Sequence, residues 1–157
     1  MCKVACGSAL RPEIRPAKKE DLTGLLALEE ICFKEETFKK EQLTYLLLKA
    51  KSLVFVATVD NILICSIIVL LRRNIAAARI YSLNVHPGYR RKGLAGSLMD
   101  TSEKSLKEMG FKKVTLEVGV HNHAAQDLYS SKGFSVDKIL KKYYKNMGDA
   151  LHLAKKL

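Results

Sequence analysis

No stretch of this chain approaches the ~20 consecutive apolar residues that a membrane-spanning helix requires. Met1 to Leu10 contain one lysine and no apolar run of signal-peptide length. A cytoplasmic protein with no membrane partner is therefore expected. The cysteines Cys2, Cys6, Cys32 and Cys65 lack the paired spacing of zinc ligands. Two of them sit inside apolar stretches, and all are read as reduced thiols. His86, His121, His123 and His152 share no metal-ligand spacing either, so they are read as surface or turn residues and no metal is expected. Neither the dinucleotide pattern G-x-G-x-x-G nor the Walker pattern G-x-x-x-x-G-K-[ST] occurs, which argues against a Rossmann oxidoreductase and a P-loop nucleotidase. There is no internal repeat, low-complexity tract or interdomain linker.

Acidic residues are also scarce relative to basic ones, 16 against 27, which leaves a formal net charge of +11. Such a surface attracts polyanions, whether nucleic acid, a ribosomal surface or a phosphorylated cofactor, and the charge alone does not choose among them. The lysines are scattered, with one denser run at Lys138, Lys141, Lys142 and Lys145, so a solvated basic surface is the favoured explanation and RNA binding stays open. With 48% hydrophobic and 27% charged residues in 157, the composition is that of a globular chain. One domain over residues 13–157 is expected, after a loose tail at residues 1–12.

Along the chain, Glu13 to Ala17 reads as an edge strand, since Pro16 lacks the N–H a central position would use. Apolar residues at helical spacing from Leu22 to Phe33 and from Leu43 to Ala50 give two helices joined by a charged loop that ends at a possible cap, Thr37. Ser52 to Val59 and Ile62 to Leu71 are β-branched runs around the turn signal Asp60-Asn61. Ala77 to Val85 forms the next strand. Leu94, Leu98, Ser102, Leu106 and Met109 mark one face of a helix stopped by Gly110. Val114, Leu116, Val118 and Val120 alternate with Thr115, Glu117 and Gly119. Asn122 caps a short helix that Gly133 terminates, Phe134 to Leu140 reads as a strand, and a short one follows at Ala150 to Ala154. This order predicts an α/β fold, a mixed sheet with helices on both faces.

Between the third long strand and its helix stands Leu83-Asn84-Val85-His86-Pro87-Gly88-Tyr89-Arg90-Arg91-Lys92-Gly93-Leu94-Ala95-Gly96. The free N–H groups and positive dipole end of a helix start suit phosphate oxygens. A Cβ at Gly93 or Gly96 would hold a pyrophosphate away from those N–H groups. Glycine and basic residues also start ordinary helices, and the short motif alone leaves both readings open.

Taken jointly, Arg90-x-x-Gly93-x-Ala95, Leu116-Glu117-Val118 and Asn122-x-x-Ala125-x-x-Leu128-Tyr129-x-x-x-Gly133-Phe134 resemble the GNAT superfamily of acetyl-CoA-dependent N-acetyltransferases. The ending Tyr143-Tyr144, then Gly148-Asp149-Ala150-Leu151, looks like the branch that acetylates protein N-termini, the ribosomal-protein and archaeal types. The resemblance covers residues 13–157. It implies a mostly antiparallel sheet of six or seven strands with about four helices, and acetyl-CoA as the acetyl donor. It also implies pyrophosphate binding by Arg90, Arg91, Lys92, Gly93, Leu94, Ala95 and Gly96, with the pantetheine arm along Leu83, Asn84 and Val85. In that branch the strand glutamate is the general base and the helix tyrosine the general acid, here Glu117 and Tyr129. An ammonium cannot attack a thioester, so a carboxylate must remove a proton, and a tyrosine hydroxyl can return one to the departing thiolate. Asn122 lies about two helical turns before Tyr129, on the same face, where it could bond the pantetheine.

For the acceptor, the resemblance points to Phe33 and Phe38 in the loop between the first helices and to Tyr143 and Tyr144 near the end. The chain departs from the branch at Gly119 and His121, and its first interhelical loop lacks the Pro and Trp residues often found there. The expected partner is a protein or peptide N-terminus, with ribosome association through the basic surface and a monomer or weak dimer as the assembly. Two alternatives stand beside it: a GNAT acting on a small amine or lysine, and a non-catalytic module binding RNA or the ribosome.

Overall fold

The computed structural model describes residues 11–33, 40–143 and 148–157. Cys2, Cys6, Thr37, Phe38, Tyr144 and Lys145 lie outside the described residues. The described residues form β1 (Glu13–Pro16), α1 (Leu22–Cys32), α2 (Lys40–Leu48), β2 (Ser52–Val59), β3 (Ile62–Arg72), β4 (Ala77–Val85), α3 (Leu94–Glu108), β5 (Lys113–Gly119), α4 (His123–Ser131), β6 (Ser135–Leu140) and β7 (Ala150–Lys156). The seven strands make one sheet in the order β1-β2-β3-β4-β5-β7-β6. β4 and β5 run parallel and every other pair is antiparallel. No helix among the described residues is long and apolar enough to cross a membrane.

Local chemistry sets most boundaries. Asp60 and Asn61 both take positive φ, 50° and 65°, the pairing a two-residue hairpin turn of matching twist demands. At the end of α3, Gly110 has φ 88°, with Gly110 N–H donating to Lys107 O at 3.0 Å and Phe111 N–H to Leu106 O at 2.9 Å. That is a Schellman stop, and it needs the left-handed residue that glycine supplies without strain. β1 is an edge strand, as Pro16 implied. β7 is longer than the sequence suggests and lies between β5 and β6, so its buried positions Ala150 and Leu153 join the interior.

Two apolar layers flank the sheet. On one face Leu94, Leu98, Met99 and Leu106 of α3 meet Ile67, Val69, Ala78, Ile80, Val114, Leu116 and Val118, with Ala125, Leu128 and Tyr129 of α4 packed against them. On the other, Leu25, Leu43 and Leu46 of α1 and α2 cover Val56 and Ile68. β3 is buried without interruption from Ile64 to Val69, which is why its sequence shows a solid apolar run rather than alternation. The thiols are part of this packing. Cys65 is fully buried, and burial pushes its thiol up to about 12; Cys32 is raised too, chiefly by burial, and its Sγ donates to Val85 O at 3.4 Å.

Candidate functional site

The parallel pair β4–β5 holds for three residues only, Ala77, Ala78 and Arg79 opposite Lys113, Val114 and Thr115. Beyond them the strands separate and a cleft of about 430 Å³ opens, lined by Arg79 to Asn84 on one wall and Leu116 to Gly119 on the other. Asn122 and Tyr129 reach it from α4, Glu29 and Phe33 from the end of α1, and Tyr143 from the connection after β6. The cleft therefore passes through the sheet.

A bulge in β4 decides which side chains look which way. Ile68 pairs with Ser82 and Val69 with Ile80, so Tyr81 is an extra residue. The core-facing positions accordingly switch from Ala78 and Ile80 to Leu83 and Val85. Arg79 and Asn84 thereby fall on the same face, the one covered by α1, although their numbers differ in parity. On β5, Val114, Leu116 and Val118 face the α3 layer, which turns Glu117 to that same α1 face.

Glu117 is held from both sides. Arg79 Nε donates to its Oε1 at 2.6 Å, and His152 Nδ1 stands 2.6 Å from its Oε2. His152 is the direct cross-strand neighbour of Glu117 on β7, and the carboxylate is 9% exposed. Arg79 also donates from Nη2 to Tyr143 Oη at 2.8 Å. So His152, read from the sequence as a surface or turn residue, is a strand residue fixing a candidate base. Arg79 carries no motif that marks it in the sequence. The signal was faint: Glu117 and Arg79 share a strand face only once the β4–β5 register is known.

Tyr129 is positioned by its own motif. Gly133 has φ 91°, Gly133 N–H donates to Ser130 O at 3.0 Å and Phe134 N–H to Tyr129 O at 3.0 Å, another Schellman stop. The Phe134 ring meets the Tyr129 ring edge to face at 6.1 Å. At the other end of α4, Asn122 Oδ1 accepts from Ala125 N–H at 3.3 Å, which leaves its amide NH₂ as the group available to a ligand. Gln126 Nε2 donates to Gly119 O and Val120 O at 2.9 and 3.1 Å, tying α4 to the end of β5.

The start of α3 is separate from the cleft lining. Gly93 is its N-cap, with φ 78°, and a Cβ there would have nothing within 4 Å. Arg91 is also left-handed, φ 63°, so the chain winds tightly through Arg90 to Gly93. The Arg90 guanidinium donates from Nε to Val85 O at 3.1 Å, closing the turn onto β4. At Gly96 a Cβ would meet Lys132 Cε at 2.9 Å, because Lys132 crosses α3 here to reach Asp100 at 3.0 Å. Close approach at Gly96 thus serves a protein contact, while open space lies at Gly93. Leu83, Asn84, Asn122 and Tyr129 line the cleft; Val85 and residues 90–96 do not. Phe33, 43% exposed, and Tyr143 line it on the α1 side. Tyr143 stands in the loop between β6 and β7, not within a strand. The described residues hold no group of three or more His, Cys, Asp or Glu side chains able to bind a metal.

A fit to acetyl-CoA rests on these features: an unfilled space over a left-handed glycine at a helix start, and two parallel strands whose pairing stops after three residues, leaving an extended slot between them. Residues 91–96 would hold the phosphates, with Leu83 to Val85 and Asn122 along the arm.

The model of the family described as "Acetyltransferase (GNAT) family" matches residues 20–134. An N-alpha-acetyltransferase of Saccharolobus solfataricus is 39% identical over 79 residues, 50% of this chain and 47% of that protein. The matched stretch spans about half the length of the curated relatives. Among solved structures, the ribosomal-protein-S18-alanine N-acetyltransferase from Escherichia coli superposes with a TM-score of 0.84 at 23% identity, covering 93% of this chain and 94% of that one. The NatC complex bound to Gag peptide and CoA gives 0.80 at 25% identity, covering 93% and 98%.

Proposed function

We propose, for a chain that belongs to the GNAT acetyltransferase family, that it transfers acetyl from acetyl-CoA to the α-amino group of a protein or peptide. The observation that carries this reading is that Glu117 and Tyr129 line one cleft, from opposite faces of the sheet. When bound, acetyl-CoA supplies an activated acyl group. Glu117 takes a proton from the incoming ammonium, directly or through water, and Tyr129 holds a proton at its hydroxyl for the leaving group.

The electrostatics favour an α-amine over lysine. An α-ammonium loses its proton near pH ~7.7–8.0 and a lysine near ~10.4, a difference of roughly 3–4 kcal/mol in free-amine population. The N-alpha-acetyltransferase names of several relatives support the same assignment. The net charge of +11 supports an anionic docking surface, such as a ribosome, for this activity.

Matched peptides test it: one with a blocked N-terminus and a free internal lysine, one with the lysine blocked and the terminus free, alongside spermidine. The free terminus should be acetylated preferentially, and Glu117→Gln should suppress that reaction by roughly 10²-fold or more. Preference for the blocked-terminus peptide or for spermidine would refute the α-amino assignment.

A further inference from the structure

On the α1 side of the cleft stands a buried polar pair whose side chains the chemistry above does not use. Glu29 and Asn84 are each 4% exposed, and both line the cleft. Asn84 Nδ2 donates to Glu29 Oε2 at 2.7 Å. This bond fixes the amide's orientation, since turning it over would set two acceptor oxygens against each other. Asn84 Oδ1 is consequently buried with no hydrogen-bond partner among the described residues. Buried amide oxygens are almost always paired, so one left unpaired on a residue that lines the cleft marks the place of a missing donor.

We propose that Asn84 Oδ1 and the Glu29 carboxylate form the subsite that binds the ammonium group of the acceptor. Any N–H would satisfy the amide oxygen; the carboxylate beside it selects one that carries positive charge. A primary ammonium brings three donors and the charge together, whereas an acylated N-terminus offers one N–H and none of the charge. The side is also right. The β4 bulge turns Asn84 away from the α3 layer, toward α1, and Glu117 faces the same way from β5. An ammonium seated on Glu29 and Asn84 is therefore on the same face of the sheet as the candidate base. Phe33, one residue past the end of α1, supplies an apolar wall for the first side chain. The inference rests on reading the cleft as the acceptor side of an acyl-transfer site.

The test is binding, measured by titration calorimetry on the full chain without acetyl-CoA. Two peptides of one sequence are compared, the terminus free in one and formylated in the other, with lysines blocked in both. The wild-type protein should bind the free terminus tighter by about tenfold or more, the worth of charge-assisted hydrogen bonds. Glu29→Gln and Asn84→Leu should each lose most of that difference, and Glu29→Gln should do so with coenzyme A affinity unchanged. Melting temperatures identify a variant that fails to fold, in which case the other decides. Wild-type protein that does not discriminate, or folded variants that discriminate as well as wild type, would overturn the subsite. Discrimination lost in the variants while no peptide is ever acetylated would leave the subsite standing and remove the acyl-transfer reading.

Discussion

Replacing Gly93 separates backbone strain from ligand contact. An L-residue held at φ 78° costs about 1–2 kcal/mol, and because a Cβ there has no neighbour within 4 Å, no steric penalty adds to it. For a chain of this length each kcal/mol lowers the melting temperature by about 2–4 °C, so Gly93→Ala should melt roughly 2–8 °C lower and remain folded. Gly93→Glu carries the same strain plus a carboxylate where phosphate is expected. Two like charges about 4 Å apart repel by about 1–4 kcal/mol at effective dielectrics between water and a protein surface. Affinity for coenzyme A should therefore fall by roughly fivefold to a thousandfold, beyond any loss in the alanine variant. Calorimetric melting and titration with coenzyme A read both quantities, and titration with pantetheine, which has no phosphate, is the control: its affinity should differ little between the two variants. If Gly93→Glu melts like Gly93→Ala and binds coenzyme A like wild type, the phosphates do not sit at the start of α3.

Tyr129→Phe should keep the edge-to-face packing on Phe134 and the affinity for coenzyme A, while turnover falls by roughly 10²–10⁴ in steady-state assays; near-normal turnover would make Tyr129 a packing residue. The Arg15 guanidinium, bonded to both oxygens of Asp21 at 2.8 Å, is the main cause holding that carboxyl below its ordinary range, with the Lys18 N–H assisting. Because the folded-state value is lowered, the stabilisation is complete above the ordinary carboxylate range and disappears as pH falls through the folded value. Asp21→Asn should accordingly cost about 1–3 kcal/mol in denaturant unfolding at pH 7, with the difference from wild type closing in acid.

What the sequence revealed was what neighbouring residues decide between themselves. Asp60-Asn61, Gly110, Gly133 and the Asn122 cap each act within a few residues, so their types announce their geometry. The run after β4 and the Tyr129-x-x-x-Gly133-Phe134 motif were legible for the same reason, and the mixed sheet followed from the order of the elements. Arg79, His152 and the Glu29–Asn84 pair were not legible. Each depends on register between segments 35 or more residues apart in sequence: Glu117 meets Arg79 38 residues away and His152 35 away, and Glu29 meets Asn84 across 55. The Tyr81 bulge adds a reversal of facing that alternation cannot foresee. Nor does anything near Ala150 say that β7 will be inserted between β5 and β6.

The short β4–β5 contact makes the sheet a partition with an aperture. In the proposed reaction, a donor threaded from the α3 side and an acceptor arriving from the α1 side would meet inside the wall without sharing a doorway. Size would then be constrained separately at front and rear: on the proposed reading a bulky acceptor would sit across the front opening, with only its terminus inserted, while the rear would stay clear for a spent carrier to leave and a charged one to replace it.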